Sequence, residues 1–188
     1  YEDESINFID QKGKLIVNGS NNNFIGEILC DYDNKDFFIL LNDNVTEFYN
    51  RKIFKFYESS GVSYIEDLGY GLIKVIKNSS LDIIHKSGDV ILSGSFDDAY
   101  LIDGKYILAE KNDRYSLFTF LGDTIYDFIF DDVFQEGPFI LFENTDNKLA
   151  VTSMEALQKK ILSKNFDISF TYDDYEYFDE GIILMVSG

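Results

Sequence analysis

Three aspartate pairs are the residues of this 188-residue chain best placed to do chemistry: Asp97/Asp98, Asp131/Asp132 and Asp173/Asp174. Two carboxylates held about 5–9 Å apart can hydrolyse a glycosidic bond, one as the acid and the other as base or nucleophile. Each pair, however, follows an aromatic residue (Phe96, Phe130, Tyr172) and recurs at a fixed place in a repeated pattern. Catalytic pairs are normally unique within a chain, whereas carboxylates that accept a local backbone N–H at a corner are copied with the corner. The pairs are therefore read as turn residues, and no catalytic residue is assigned.

The remaining reactive residues give the same answer. His85 is the only histidine and Cys30 the only cysteine. A nucleophile elbow or a His-Glu-x-x-His helix needs partners that the sequence does not offer, and zinc needs more ligands than one thiol and one imidazole. The segment Asp31-Tyr32-Asp33-Asn34-Lys35-Asp36 opens like a calcium loop. Lys35 then fills the third ligand position, Asp36 the sixth position that calls for glycine, and Asn42 the closing position that calls for glutamate. No phosphate-cradling glycine loop follows any strand-like run. No metal or cofactor is assigned, and the expectation is a non-enzyme.

The most suggestive surface is at the C-terminal end. Residues 165–188 carry six acidic residues and no basic one, interleaved with Phe166, Phe170, Tyr172, Tyr175, Tyr177 and Phe178. Aromatic anchors inside a carboxylate rim suit a basic protein partner, so Asp173, Asp174, Tyr175, Glu176, Tyr177, Asp179 and Glu180 are the candidate binding residues. The competing reading is a terminal strand pair with its aromatics buried and its acids solvated. Charge over the whole chain points the same way. Thirty-four acidic against 16 basic residues give a net charge of −18. Such a field repels phosphate backbones and anionic membranes, and it steers basic proteins inward. It also keeps an aromatic-rich sheet protein soluble.

Positioning falls to a repeated element. Aligned over about 34 residues, 81–114 and 115–148 match at Gly88-Asp89 with Gly122-Asp123, Phe96-Asp97-Asp98 with Phe130-Asp131-Asp132, and Gly104 with Gly137. Ile107-Leu108 likewise falls on Ile140-Leu141. Weaker copies lie around Gly13, at Gly71-Leu72 and at Gly181-Ile182-Ile183-Leu184, giving approximate units 5–45, 46–80, 81–114, 115–148 and 149–188. Within a unit, short runs rich in β-branched and aromatic residues are punctuated by glycine and aspartate turns. The expectation is one all-β domain over 1–188, with three antiparallel strands per repeat in a continuous meander. That meander would form an open spiral or a barrel- or propeller-like sheet. One short helix is expected at 153–160, where Thr152 and Glu155 have capping-box spacing.

Gln11-Lys12-Gly13-Lys14, Phe96-Asp97-Asp98-Ala99, Phe130-Asp131-Asp132-Val133 and Gly71-Leu72 resemble the elements of the bacterial WG-repeat family. The chain departs from that pattern in having no tryptophan. Leu81-Asp82, Tyr115-Ser116 and Leu149-Ala150 stand in the place of the Trp-Gly pair, as in a divergent relative. The resemblance implies an all-β repeat scaffold, mostly without an assigned activity.

The function expected is a protein-binding module, in one version an acidic inhibitor or immunity-type protein that caps a basic, nucleic-acid-handling enzyme. The alternatives are a carbohydrate-binding or carbohydrate-processing protein using sheet aromatics and paired acids, and a structural repeat within a longer chain. The sequence assigns no compartment; a cytoplasmic location is slightly favoured, with a signal peptide ahead of Tyr1 as the alternative. No apolar run approaches the roughly 20 residues of a membrane helix.

Overall fold

The computed structural model describes residues 8–9, 15–17, 37–42, 45–50, 54–163, 167–178 and 181–187. Gly13, Cys30, the calcium-like segment 31–36, Asp179 and Glu180 lie outside the described residues. The chain forms two compact units, 1–95 and 96–188. The boundary falls inside repeat 81–114, just ahead of Phe96-Asp97-Asp98.

The first unit holds nine strands among its described residues. They are β1 (Phe8–Ile9), β2 (Leu15–Val17), β3 (Phe37–Asn42), β4 (Val45–Asn50), β5 (Lys55–Ser60), β6 (Val62–Gly69), β7 (Leu72–Lys77), β8 (Ser80–His85) and β9 (Val90–Gly94). They pair antiparallel with sequence neighbours into sheets β1-β2, β3-β4-β5 and β6-β7-β8-β9. Four consecutive residues are buried in β7 and four in β8, so both faces of that sheet are covered at its centre. One face presents Ile73, Val75 and Ile84 to Ile39 and Phe48, with Phe56 and Tyr57 packed alongside.

The second unit continues with β10 (Asp98–Ile102), β11 (Tyr106–Glu110), β12 (Tyr115–Thr119), β13 (Thr124–Phe130), β14 (Asp132–Glu136), β15 (Phe139–Glu143), β16 (Leu149–Ser153), α1 (Met154–Ser163), β17 (Asp174–Phe178) and β18 (Ile182–Val186). Its sheets are β10-β11-β12-β13, β14-β15-β16 and β17-β18, again antiparallel. The core lies between the first two: Leu108, Leu117, Tyr126 and Phe130 meet Val133, Ile140, Phe142 and Leu157. Phe130 and Phe142 pack with ring centroids 4.5 Å apart.

All-β antiparallel architecture, with one helix among the described residues, is what the repeat pattern predicts, and the same order of strands and turns recurs in 81–114 and 115–148. The hairpin turns coincide: His85 N donates to the Asp89 carbonyl at 2.8 Å as Thr119 N donates to that of Asp123 at 2.8 Å, and Gly88 and Gly122 close both turns from the left-handed region. A Cβ at Gly88 would stand 2.8 Å from the Phe56 carbonyl oxygen, so glycine is required there for space as well as conformation.

Two features differ from expectation. Repeats 81–114 and 115–148 each carry four strands rather than three, because Asp98–Ile102 and Asp132–Glu136 are strands. The run at 98–102 is short and flanked by Asp98 and Asp103, which reads as turn, yet it places Ala99 and Ile102 in the core and pairs fully with β11. Nor is the meander continuous, since hydrogen bonding stops between β5 and β6, β9 and β10, and β13 and β14. At the last two breaks the amides of Asp97 and Asp131 turn back onto the carbonyls of Glu110 and Glu143, both at 2.8 Å, and the chain starts a new sheet.

The helix runs Met154–Ser163, three residues beyond its expected end. Its cap is Ser153, whose Oγ accepts from Ala156 N at 3.1 Å, rather than Thr152, which is buried in β16. The helix occupies a hairpin tip: beyond it, Tyr172 bridges back to Leu149 of β16 as a vestigial fourth strand.

Candidate functional site

The aspartate pairs sit at three equivalent corners. Asp97, Asp131 and Asp173 donate their amides to the carbonyls of Glu110, Glu143 and Val186 at 2.7–2.8 Å. Asp98, Asp132 and Asp174 each accept, through Oδ1, the amide of the next residue at 2.7 Å. Asp97 Oδ2 also accepts from Asn112 N at 2.6 Å. The first aspartate of two corners takes a basic partner from the preceding repeat, at its aligned last position: Arg114 with Asp131 at 2.9 Å, and Lys148 with Asp173. All three pairs hold backbone in place, and the ion pairs of Asp131 and Asp173 also tie consecutive sheets of the second unit together.

His85 is held in its own turn. Its Nδ1 lies 2.7 Å from Ser87 Oγ, and that hydroxyl donates to Asp89 Oδ2 at 2.6 Å. A nucleophilic triad needs the imidazole between hydroxyl and carboxylate; here the hydroxyl is in the middle, with its proton already committed. Among the described residues, no three His, Cys, Asp or Glu side chains gather as ligands for a cation. Among the described residues no helix is long and apolar enough to cross a membrane.

The best-built polar cluster in the first unit escapes sequence reasoning altogether. Asp82, 2% exposed in β8, faces sheet β3-β4-β5. Its Oδ2 accepts from the Tyr57 hydroxyl at 2.5 Å and from Lys77 Nζ, and its Oδ1 accepts from Ser93 Oγ at 2.6 Å. Lys77 also donates to the Tyr57 oxygen at 3.0 Å. Burial pushes the Asp82 carboxyl up, but the bonds from Lys77, Ser93 and Tyr57 outweigh it and hold the group below the ordinary aspartate value. Burial and the Asp82 bond raise Tyr57. With both oxygens of Asp82 engaged, the cluster is a clamp between sheets and offers no free base.

The second unit's terminal hairpin, β17-β18, contains the expected partner-binding residues, and its register sorts them into two faces. Tyr175 and Tyr177 pair with Met185 and Ile183, and this face is half-buried against β14. The Tyr175 ring lies 5.5 Å from that of Phe134, and its hydroxyl donates to Glu136 at 3.3 Å. Burial, then Glu136, raises its pKa. The Tyr177 hydroxyl would stand 2.2 Å from a Cβ at Gly137, so the ring rests on bare backbone. The two tyrosines expected as anchors for a partner therefore pack against the chain's own sheet. Asp173 is paired with Lys148.

The opposite face carries Asp174 and Glu176, both exposed, together with Phe178, Ile182, Leu184 and Val186, exposed by 43%, 58%, 50% and 45%. Of these exposed apolar residues, Phe178 stands among the aromatics that the sequence singles out, whereas Ile182, Leu184 and Val186 escaped it. The available signal was the unbroken run Ile182-Ile183-Leu184-Met185-Val186, because a strand apolar on both sides is one built to be covered on both.

No family model matches the chain, and no curated protein matches it. Solved structures align with it at low identity. A eukaryotic initiation factor aligns over 96% of this chain and 57% of its own, at a TM-score of 0.43 and 10% identity. The WD40 domain of SCAP from fission yeast aligns over 70% of this chain and 42% of its own, at 0.36 and 11%. Hsv2p of Kluyveromyces lactis aligns over 64% of this chain and 43% of its own, at 0.38 and 16%. The chain thus spans between 42% and 57% of the length of these similar structures.

Proposed function

We propose that the chain is a non-enzymatic protein-binding module that takes a basic partner on the outer face of β17-β18. One observation carries the reading: Phe178, Ile182, Leu184 and Val186 form a contiguous exposed apolar face with the Asp174 and Glu176 carboxylates beside it. An apolar centre with a charged rim is the anatomy of a specific interface, and isolated exposed apolar residues do not produce it. The net charge of −18 supplies steering toward a basic surface and disfavours direct contact with nucleic acid or an anionic membrane. In its specific form the module is an inhibitor or immunity-type protein covering the basic surface of a nucleic-acid-handling enzyme. The WG-repeat resemblance is carried forward with it, on the recurrence of Phe96-Asp97-Asp98 and Phe130-Asp131-Asp132.

The test is calorimetry of the full chain against a panel of basic and neutral proteins at low and high salt. Tight association confined to basic proteins, weakened by salt and by Asp174→Asn with Glu176→Gln, is the expected result. Binding only to neutral proteins, indifferent to salt, rejects the reading.

A further inference from the structure

We propose that the hairpin tips at 69–71 and 86–89 together form a binding site for a neutral sugar ring, with Tyr70 as its stacking surface. The site lies within the first unit and is independent of the reading of β17-β18.

Strain singles out Tyr70. It has φ +55° between Gly69 at +81° and Gly71 at +83°. A bulky residue is an outlier in this left-handed region, and such strain persists only where the surroundings enforce it. Here they do: Asp67 Oδ1 accepts from Gly69 N at 2.8 Å, and Lys86 N donates to the Gly71 carbonyl at 2.9 Å. At the matching place in the next repeat, ahead of Gly104, stands Asp103 at φ +49°, a residue type that tolerates this conformation. Phe128, an aromatic also held at positive φ, stacks on Phe96 with ring centroids 6.0 Å apart, so packing offsets its cost. Tyr70 instead is 69% exposed. Its ring is fixed at the tip of the hairpin and held out to solvent.

The neighbouring tip supplies hydrogen-bonding groups beside that ring. A Cβ on Gly71 would stand 3.0 Å from both His85 Nε2 and the Lys86 side chain, so these two close over bare backbone next to Tyr70. Ser87 N donates to His85 Nδ1 at 3.2 Å. An amide can only donate, so the neutral ring carries its proton on Nε2, the atom facing Gly71. Ser87 Oγ donates to Asp89 Oδ2 at 2.6 Å, and a carboxylate has more acceptor sites than one hydroxyl fills. Lys86 brings several N–H donors. The centres of the two hairpins lie two strand spacings apart, about 10 Å, a gap that a sugar ring spans with its hydroxyls.

Charge selects the ligand. A cation would meet Lys86, and an anion would meet Asp89 in a chain of net charge −18. Hydroxyls suit both groups, because each donates and accepts. The C–H face of a pyranose covers an aromatic ring while its edge reaches convergent polar groups.

Amide NMR of the full chain tests this, with the methyl glycosides of glucose, galactose, mannose and N-acetylglucosamine as probes and adenosine as a flat heterocycle for comparison. At least one glycoside should shift the amides of Gly69, Gly71 and Ser87 in a saturable way while β10-β13 stays unmoved. Tyr70→Phe keeps the ring and should bind as the parent does, whereas Tyr70→Ala should bind about tenfold or more weakly, as loss of a stacking surface does. Tyr70→Asn separates recognition from folding. Asparagine suits the left-handed turn, so stability in urea should hold or rise while binding is lost. A fall in stability in that variant would make Tyr70 a structural residue, and retained binding would remove its stacking role; either overturns the proposal. So do glycosides that all leave these amides unmoved, and adenosine binding there in preference to every glycoside. None of these outcomes bears on the salt-dependent binding of basic proteins, so the two readings fail separately.

Discussion

The Tyr57 hydroxyl donates to Asp82 Oδ2 at 2.5 Å across the gap between sheets β3-β4-β5 and β6-β7-β8-β9. The bond joins residues 25 positions apart and makes one buried carboxylate the meeting point of two sheets. Because Lys77 is held by the same oxygen, removing the charge at Asp82 leaves an ammonium with no counter-ion at a mostly covered site.

Asp82→Ala is accordingly expected to destabilise the first unit by about 2–4 kcal/mol, the cost of breaking a buried pair by removing one partner. Tyr57→Phe removes one hydrogen bond and is expected to cost about 1 kcal/mol. Urea unfolding followed by tyrosine fluorescence measures both, and equal effects would mean that the charge at Asp82 contributes nothing beyond a hydrogen bond.

The same cluster sets a pH window. Asp82 is held below its unfolded value near ~3.9, so its contribution is complete above that value and is lost as pH falls through the lower folded one. Tyr57 and Lys77 are both raised: burial and Asp82 raise Tyr57, while at Lys77 the bonds to Asp82 and Tyr57 outweigh burial. Their contribution is complete below the unfolded values near ~10 and is lost as pH rises through the folded ones. Stability of the first unit should be flat between these limits and fall on both sides. Asp82→Asn should shallow the acid limb; an acid limb unchanged in that variant would mean that other carboxylates set it.

How much of this was legible turns on distance along the chain. The turns at Gly88-Asp89 and Gly122-Asp123 are local chemistry, a glycine with positive φ closing a short hairpin, and the sequence pattern locates them correctly. Asp98–Ile102 was hidden because a short strand between two aspartates has the composition of a turn, and only its partner β11 makes it a strand. The Asp82 clamp depends on a tyrosine from another sheet, which no local pattern announces. In β17, alternation separates Tyr175 and Tyr177 from Asp174 and Glu176 but does not say which set meets the chain's own sheet. That choice is made by Phe134 and Gly137.

Gly137 is the position where that choice can be undone. It has φ +55°, and a Cβ there would meet the Tyr177 hydroxyl at 2.2 Å. Gly137→Ala is expected to cost about 1–2 kcal/mol through strain and contact together, and to loosen β17-β18 selectively. Adding Tyr177→Phe removes the hydroxyl and should recover part of the loss, leaving the conformational part and the contact with the ring carbon Cζ, 2.7 Å from that Cβ. Hydrogen exchange over Asp174–Val186 should accelerate in the single variant while β10-β13 stays protected. Uniform acceleration across the second unit would mean that the hairpin is not separable from it.

The cap of α1 separates two serviceable hydroxyls. Ser153 Oγ accepts from Ala156 N at 3.1 Å, whereas Thr152 is buried in β16 beside it. Losing an N-cap oxygen costs about 1 kcal/mol because an amide at the helix start is left without a partner. The helix is otherwise tethered by Leu157, fully buried, with Met154 and Ile161 packed on the same side at helical spacing. Ser153→Ala should therefore fray the first turn without releasing the helix. Thr152→Val preserves the shape of a strand residue and should leave helix exchange unchanged. Amide exchange at Ala156 and Leu157 decides the matter: acceleration in the threonine variant rather than the serine variant would return the cap to Thr152.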